Sequence, residues 1–417
     1  MMTKEETLLL DSFAYGGESF GRSPAGRATF VPFALPGEKV RIRLVEEKRG
    51  FARGELIEVL QVSPDRIEPR CQHFGECGGC HYQNLPYEKQ LQAKTEILRD
   101  QLQRIGKFKD PPVQPAVPSP DPWKYRNHVQ FHLNEKGELG FFSTKKATGQ
   151  SLVPIKECHL PAEALLNLWK QIEIESITGL DQVGLRLGTD DECMVLLESS
   201  DPEPIEMELD LPVSVIYRGP SGSLVLAGDD HIVIEVLDRP FRVSSGAFFQ
   251  VNTVMAAMMV KHLLENLDLN PQDTLVDAYC GVGLFSAFLA SKVARLVGIE
   301  AHPEACEDFV INLAELEKVE LYEAAVEESL LAMKGGIDIL VVDPPRAGVG
   351  RRILEGVETL KPRTIASISW DPATLSRDAR FVVEMGYRLR QITPFDLFPQ
   401  SYHIESISFW DLDPSLG

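Results

Sequence analysis

The chain has 417 residues, of which 44% are hydrophobic and 25% charged, a composition typical of a soluble globular protein of two or three domains. Its net charge of −20 argues against a polyanionic partner, although the first 70 residues hold equal numbers of basic and acidic side chains. No apolar run approaches the roughly 18 residues of a membrane helix, and the N-terminus lacks the features of a secretory signal. An odd count of seven cysteines disfavours a disulfide framework, so we expect a cytoplasmic protein.

The first predicted domain, residues 1–62, is a small β-barrel. Short β-rich runs alternate there with glycine and proline turns, in ATFVPFAL, PGEKVRIRL and FARGELIEVLQ, the pattern of a five-stranded barrel. The opening AYGGESFGR and the PGEKVRIRL turn and strand resemble the TRAM domain, an oligonucleotide-binding-like barrel attached to RNA-modifying enzymes. Because this stretch is electrically neutral, a nucleic acid meets the least repulsion here.

The second predicted domain, residues 63–240, combines a cysteine cluster with β-rich sequence. Cys71, Cys77 and Cys80 have five and two intervening residues, a spacing that lets three thiolates converge on one metal site, and Cys158 is the candidate for a distant fourth ligand. Spacing alone leaves tetrahedral zinc and an iron–sulfur cluster both open. A helical stretch follows, and then YRNHVQFHLN and GELGFFS are expected to pair as a hairpin.

The third predicted domain, residues 241–417, alternates strands with helices. TLVDAYCGVG, ARLVGIE, IDILVVDPP and TIASISW are apolar runs typical of buried parallel strands, and YRLRQITPF and HIESISFWD are two further strands. This succession predicts a doubly wound α/β domain of Rossmann type, with ligands at the carboxyl ends of its strands.

The glycine-rich turn of this domain predicts the cofactor. An apolar strand ends at Asp277 and turns through Gly281 and Gly283 into a helix, and the glycines let the backbone approach a ligand closely. A second strand ends at Glu300, whose carboxylate can accept both hydroxyls of an adenosine ribose. The acid before the glycines, and Ser286 where the dinucleotide fingerprint has a third glycine, favour S-adenosylmethionine over NAD.

The segment VVDPPRAGV predicts a base-binding site. Asp343 and the two prolines after it place a carboxylate and a rigid backbone without N–H donors where a planar base could dock. Exocyclic-amine methyltransferases resemble this motif but carry an aromatic residue where Arg346 stands. That difference points away from amine methylation.

Five ordered motifs carry a resemblance that covers nearly the whole chain: SSGAFFQVN, DAYCGVGLF, VVDPPRAGV, SWDPATLSRD and HIES. Together they resemble the bacterial RNA uracil-5-methyltransferase family, including 23S ribosomal RNA enzymes that join a TRAM domain to an iron–sulfur cluster. The resemblance implies a class I methyltransferase domain, S-adenosylmethionine, a ribosomal RNA substrate and a [4Fe–4S] cluster rather than zinc on the four cysteines, and we expect a monomer. The family often has Asn or Thr where Leu284 stands, so one polar cofactor contact is missing. The resemblance further implies a cofactor and base pocket lined by Gln250, Tyr279, Glu300 and Asp343, with Glu405 as the proton-abstracting base.

One residue departs from the family at the centre of its chemistry. Uracil carbon 5 is too weak a nucleophile to take a methyl group directly from a sulfonium, so family members add a cysteine thiolate at carbon 6 and form an enolate that attacks the methyl group. That cysteine lies just before an Asn/Asp-Pro-Ala-Thr-Leu run, and here Trp370 holds the position. Cys280 lies in the cofactor loop and Cys306 on the helix that should flank the adenosine, which makes both poor substitutes.

The sequence therefore leaves three hypotheses. The first is an active RNA methyltransferase that reaches a uracil carbon or another base atom by a different route, and the intact cofactor loop supports it. The second is a catalytically retired paralogue that binds RNA, with Trp370 as a stacking surface for a base. The third, an NAD-dependent oxidoreductase with an iron–sulfur relay, is disfavoured by Ser286 and by the DPPR motif.

Overall fold

A computed structural model describes residues 4–144, 151–173, 179–201 and 210–413. The chain begins with a closed barrel in the strand order β1-β2-β3-β5-β4, which an antiparallel β1–β4 pairing closes. Alternate side chains of β1 and β4 point inward, and Leu8, Leu10, Val40 and Ile42 fill the interior. The predicted five-stranded barrel is confirmed. Its strands are β1 (Glu5–Ala14), β2 (Glu18–Arg22), β3 (Ala28–Pro32), β4 (Lys39–Glu47) and β5 (Phe51–Gln61).

A seven-stranded sheet forms the middle of the molecule, in the order β12-β11-β10-β9-β6-β7-β8. The expected hairpin is confirmed, because His132 on β6 pairs antiparallel with Gly140 on β7. Helix α2 packs Leu165 and Leu168 into the hydrophobic cluster of this sheet. The elements of this part are α1 (Tyr87–Arg104), β6 (His128–Leu133), β7 (Leu139–Phe142), β8 (Leu152–Pro154), α2 (Glu163–Trp169), β9 (Leu180–Leu187), β10 (Cys193–Ser199), β11 (Ser214–Gly219) and β12 (Gly222–Ala227).

The C-terminal part is a hairpin followed by a second seven-stranded sheet, in the order β17-β16-β15-β18-β19-β21-β20. Strands β15 to β19 are parallel, and β21 runs antiparallel between β19 and β20. The predicted doubly wound α/β domain is confirmed. Its elements are β13 (His231–Val236), β14 (Arg239–Ser244), α3 (Thr253–Asn266), β15 (Thr274–Ala278), α4 (Leu284–Leu289), β16 (Arg295–Glu300), α5 (Pro303–Asn312), β17 (Val319–Glu323), α6 (Val326–Ala332), β18 (Ile339–Val342), α7 (Gly350–Leu360), β19 (Thr364–Ser369), α8 (Pro372–Glu384), β20 (Tyr387–Phe395) and β21 (Glu405–Leu412).

Successive side chains of β15 face opposite sides of this sheet, as strand geometry requires. Leu275 joins a core formed with α3, α4, α5 and the β13–β14 hairpin. Val276 joins a second core formed with α1, α6, α7 and α8. Helix α1, although it lies early in the chain, therefore packs against the C-terminal sheet. The domain boundaries after residues 62 and 240 stay predictions.

The strand order places the ligand edge of the sheet. From β15 the chain builds outward to β16 and β17 on one side, and then returns to place β18 and β19 on the other. Ligands of doubly wound sheets bind at such a switch point, outside the carboxyl ends of the strands. Asp277 on β15 and Asp343 after β18 both lie at this point. None of the helices in the described ranges is both long and apolar enough to cross a lipid bilayer.

Candidate active site

The loop after β15 turns sharply beside the switch point. Tyr279, Gly281 and Gly283 adopt left-handed backbone conformations, with φ of 64°, 55° and 91°. A Cβ on Gly281 would meet no atom within 4 Å, so its backbone faces open space. A Cβ on Gly283 would lie 2.4 Å from Leu313 Cδ1 at the end of α5. Gly283 is thus needed for packing inside the protein, and Gly281 is the glycine that leaves room for a ligand.

Glu300, the last residue of β16, is fixed against this loop. Its Oε2 accepts a hydrogen bond from the Gly281 N–H at 3.0 Å, and its Oε1 accepts from the N–H groups of Ala301 and His302 at 2.8 Å each. A carboxylate has about four lone-pair sites, so these contacts leave acceptor capacity for a ligand. The structure thus brings Gly281 and Glu300 together, as the sequence predicts.

Two further polar groups lie beside this loop. The Tyr279 hydroxyl donates to Glu327 Oε1 on α6 at 2.9 Å. Asp277 is fully buried, its Oδ2 accepts from Ser286 Oγ at 2.6 Å, and its Oδ1 has no hydrogen-bond partner among the described residues. Burial raises the pKa of Asp277 to about 7, the Ser286 hydrogen bond opposes this, and the charge of Asp343 adds to it.

Asp343, which the sequence predicts to lie beside a bound base, contacts Trp370. The indole Nε1 of Trp370, which follows β19, donates to Asp343 Oδ1 at 3.0 Å. Burial raises the pKa of Asp343 to about 6, against the effect of this hydrogen bond. The residue at the family's nucleophile position is therefore a hydrogen-bond donor to the carboxylate of the DPPR motif.

Glu405, the first residue of β21, is a buried carboxyl with no partner in the described structure. Its exposed fraction is 0%, and neither side-chain oxygen accepts or donates a hydrogen bond. Burial raises the pKa of Glu405 well above its usual value, and the nearby charge of Asp343 raises it further. Burial therefore favours the protonated form of Glu405, and this side chain lies close enough to Asp343 to be affected by its charge.

Gln250 and Asn252 of the SSGAFFQVN motif have different roles. Gln250 is 3% exposed, and its side-chain oxygen has no partner in the described ranges. Its backbone carbonyl accepts a hydrogen bond from Asn127 Nδ2 at 3.0 Å. Asn252 caps α3 by accepting from the Met255 N–H at 3.2 Å. Of the two buried polar side chains, only Gln250 keeps an unpartnered atom.

Phe248 and Phe398 form an aromatic wall against Trp370, and the sequence motifs predicted neither contact. The rings of Phe248 and Phe398 lie 5.4 Å and 5.9 Å from the Trp370 ring. Phe248 is 56% exposed, although it is a large apolar side chain. From the barrel, Tyr15 reaches within 5.8 Å of the Tyr402 ring. Phe248 lies within a recognised motif, whereas no pattern in the FDLFPQ segment marks Phe398.

The two cysteines nearest the cofactor loop are neutral thiols. Burial, with the charges of Asp277 and Glu300, raises the pKa of Cys280 well above its usual value. Cys306 donates to the Glu300 carbonyl at 3.4 Å, and burial raises its pKa to about 11. Because the thiolate is the reactive form, neither residue is an activated nucleophile.

Comparison with known proteins assigns the chain to a family. Residues 205–411 match the tRNA (Uracil-5-)-methyltransferase family model, and residues 3–57 match the TRAM domain. Uncharacterized RNA methyltransferases of Streptomyces avermitilis and Aquifex aeolicus are 33% and 34% identical, each over 99% of this chain and over 99% and 100% of their own. The chain belongs to the RNA uracil-5-methyltransferase family. The predicted resemblance, including the TRAM domain, is confirmed.

A solved structure supports the same assignment. The Pyrococcus abyssi tRNA (uracil-54, C5)-methyltransferase in complex with S-adenosyl-L-homocysteine superposes with a TM-score of 0.74. It is 25% identical, and the match covers 97% of this chain and 99% of that one. The chain is thus an S-adenosylmethionine-dependent RNA methyltransferase of the uracil-5 family by descent and fold, and its TRAM domain is an RNA-binding module.

The four predicted metal ligands of this family member line one cavity. Cys71, Cys77, Cys80 and Cys158 surround a volume of about 350 Å³, and burial raises the pKa of Cys77 to about 11 and of Cys80 to about 12. The Gly79 N–H donates to Cys77 Sγ at 3.4 Å. In the part of the chain that is described, however, no group of three or more His, Cys, Asp or Glu side chains is arranged to hold a metal ion. The metal centre stays a prediction.

The TRAM barrel of this methyltransferase carries little unpaired positive charge. Six of the nine basic side chains in residues 1–62 lie in ion pairs: Lys4–Glu6, Arg27–Glu47, Arg41–Glu58, Arg43–Glu55, Lys48–Glu46 and Arg53–Glu18. Aromatic rings lie beside these pairs: Phe30 is 5.7 Å from Phe20 and 6.1 Å from Phe51. The barrel therefore offers RNA bases a stacking surface more than a strongly basic one.

Proposed function

We propose that this family member binds S-adenosylmethionine and a base of ribosomal RNA, and that it has lost the covalent route to 5-methyluridine. The observation that carries the proposal is the hydrogen bond from Trp370 Nε1 to Asp343, at the position where the family places its thiolate. An indole has no ionisable nucleophile to add to carbon 6 of uracil.

The cofactor would lie across the carboxyl ends of β15, β16 and β18. Glu300 would accept the ribose hydroxyls, and Gly281 would let the backbone approach. Tyr279, Gln250 and Gly283 would complete that side of the pocket, with Asp343 between cofactor and base. The support for this assignment is the contact between Glu300 and Gly281, together with the open space above Gly281.

The bound base would stack against Trp370 and Phe248. Stacking of a base on an aromatic side chain contributes about 1–3 kcal/mol, which supports binding without covalent chemistry. The methyl transfer itself lacks its nucleophile. Loss of a covalent nucleophile from a coupled catalytic unit costs on the order of 10⁶ in rate. Glu405, at the position of the family's base, would remove the carbon-5 proton once a nucleophile is supplied.

The test restores the missing thiol. Wild type, Trp370→Cys and Trp370→Phe proteins are incubated with unmodified ribosomal RNA and methyl-labelled cofactor, and 5-methyluridine is measured in nuclease digests. We expect methyl transfer from Trp370→Cys alone, because Trp370→Phe keeps a ring but supplies no nucleophile. Production of 5-methyluridine by wild type at rates comparable to Trp370→Cys would refute the proposal.

A double variant separates thiol addition from proton abstraction. In Trp370→Cys/Glu405→Gln, the thiol can add to the base, but the carboxyl needed to remove the carbon-5 proton is gone. We expect this variant to accumulate a covalent protein–RNA complex that survives denaturing electrophoresis. Calorimetry on wild type tests the binding half of the proposal, and absence of heat with both S-adenosylmethionine and S-adenosylhomocysteine would overturn it.

We further propose that the four cysteines hold a [4Fe–4S] cluster. The support is the donor set, because four thiol side chains line one cavity and a cluster is bound by four thiolates. The N–H donor to Cys77 Sγ also fits a bound thiolate. When bound, the cluster would cross-link the segment around Cys71 to the segment around Cys158. Anaerobic purification with iron and sulfide analysis tests this, and stoichiometric zinc without iron would contradict it.

The choice of ribosomal RNA rests on the resemblance to the enzymes that join a TRAM domain to such a cluster. Filter binding with ribosomal RNA fragments and with tRNA transcripts distinguishes the two substrates, and preference for tRNA would overturn this part. A cytoplasmic monomer belongs to the same proposal. Cell fractionation and light scattering of the eluted protein test it.

A further inference from the structure

Arg126 lies between the four-cysteine cavity and the aromatic wall of the base pocket. Its backbone N–H donates to the Leu160 carbonyl at 3.0 Å, and its carbonyl accepts from the Ala162 N–H at 2.9 Å. These contacts fix Arg126 beside the segment that carries Cys158. Its side chain lines the cavity together with the four cysteines.

The guanidinium of Arg126 has no carboxylate partner within ion-pair distance among the described residues. Its side-chain contact is a hydrogen bond from Nε to the Tyr125 hydroxyl at 3.4 Å. The one carboxylate on the cavity wall, Glu157, instead accepts from the Gln72 N–H at 3.0 Å. An anionic occupant of the cavity would give this cation the counter-ion that it lacks among the described residues. A cluster bound by four thiolates is such an anion.

The other side of the guanidinium contacts the base pocket. The Arg126 Cζ lies 5.8 Å from the centre of the Phe398 ring, whose own centre is 5.9 Å from the Trp370 ring. The flanking residues reach the same pocket: the Tyr125 hydroxyl donates to the Pro399 carbonyl at 3.2 Å, and Asn127 Nδ2 donates to the Gln250 carbonyl at 3.0 Å. Three consecutive residues therefore connect the cavity wall to the loops that hold the base pocket.

We propose that Arg126 is a positioning residue that couples the occupied four-cysteine cavity to the base pocket. Its positive charge offsets the thiolate-bound cluster on one side, and its planar face holds Phe398 against Trp370 on the other. The inference rests on the cluster proposed above. It assigns to that cluster a role in shaping the RNA-binding pocket, beyond cross-linking two segments of the chain.

The experiment measures how Arg126 affects the cluster and the base pocket, in protein that retains its cluster. The chain is labelled with 5-fluorotryptophan, and the Trp370 signal is identified in the fluorine NMR spectrum by its loss in Trp370→Phe. The cluster is titrated with a reductant and followed by electron paramagnetic resonance. We expect Arg126→Met to shift the Trp370 resonance and to move the reduction potential of the cluster to more negative values, because the cation is lost.

Two variants show whether the effect is specific. Arg126→Lys keeps the charge but lacks the planar guanidinium, so it should retain the potential and still shift the Trp370 resonance. Arg70→Met removes an exposed cation whose side chain stacks on Trp123 instead, and it should leave the Trp370 resonance unchanged. The Trp410 resonance, from a fully buried side chain in the second core, reports whether the fold is intact.

The possible results distinguish a failure of the Arg126 coupling from a failure of the cluster proposal. If Arg126→Met binds iron normally and leaves the Trp370 resonance in place, the coupling is refuted and the cluster stands. If the purified protein holds no iron even after anaerobic reconstitution, the cluster is refuted and the coupling with it. A Trp370 shift of equal size in Arg70→Met would reduce the effect to general electrostatics and also overturn the assignment.

Discussion

The buried ion pair between Lys94 and Asp396 allows a quantitative prediction about the free energy of unfolding. Lys94 Nζ lies 2.5 Å from Asp396 Oδ1, with side-chain exposures of 1% and 0%, and also donates to the Phe398 carbonyl at 3.1 Å. In Lys94→Met the Asp396 carboxylate stays buried without its cation. Removing one partner of a buried pair costs about 3–5 kcal/mol, and we expect the free energy of unfolding to fall by that amount.

The assay is urea unfolding of wild type, Lys94→Met, Asp396→Leu and the double variant, followed by circular dichroism. The double variant should recover most of the loss, because it leaves no buried charge unpaired. Lys89→Met on the same helix breaks the exposed pair with Asp65, at 3.2 Å, and should cost less than about 1 kcal/mol. Equal losses in the two lysine variants, or single losses that simply add in the double variant, would refute the reasoning.

Three other predictions follow from the cofactor loop and the buried carboxyls. Burial raises the pKa of Asp277 from 3.8 to about 7, so the folded state keeps a proton that the unfolded chain releases, and stability falls between about pH 4 and pH 7 by up to about 4 kcal/mol. Asp277→Asn should flatten that part of the pH profile in thermal unfolding, and an unchanged profile would contradict the assignment. Gly283→Ala should lower the melting temperature more than Gly281→Ala, which should mainly weaken S-adenosylmethionine binding in calorimetry, because only the former meets protein atoms. A lower melting temperature for Gly281→Ala than for Gly283→Ala would contradict this assignment. Burial also raises the pKa of Glu405 well above its usual value, so Glu405→Gln should reduce the loss of stability that wild type shows as the pH rises; an unchanged pH profile in calorimetry would contradict the direction of that shift.

The parts of the fold that were predicted correctly depend on local pattern. Period-two barrel strands and apolar parallel strands separated by helices are visible in short windows, and the carboxyl ends of parallel strands necessarily meet at one edge. Glu300 could therefore be placed beside Gly281 without coordinates. The cysteine spacing predicted a metal site, which stays a prediction, although the four thiols do line one cavity.

What the sequence could not reveal depends on contacts between distant segments. Lys94 lies 302 residues before its partner Asp396, and nothing in the helical pattern of α1 distinguishes it from an exposed lysine. Arg126 and Phe398 are in the same situation, since neither belongs to a recognisable motif. The Lys94 contact arises because α1 packs against the C-terminal sheet. Amphipathic periodicity predicts that a helix has a buried face, but it does not predict which sheet that face packs against.

Three buried side chains at the predicted site keep oxygens that a ligand could use as hydrogen-bond partners. Buried polar groups in folded proteins almost always have hydrogen-bond partners, so exceptions call for an explanation. Gln250, Asp277 and Glu405 each keep at least one buried oxygen without a partner in the described structure. Asp343, by contrast, is satisfied by Trp370. The substitution therefore stabilises the one carboxylate closest to it and leaves the other groups poised for hydrogen bonds from a ligand, as a pocket that binds a base without attacking it requires.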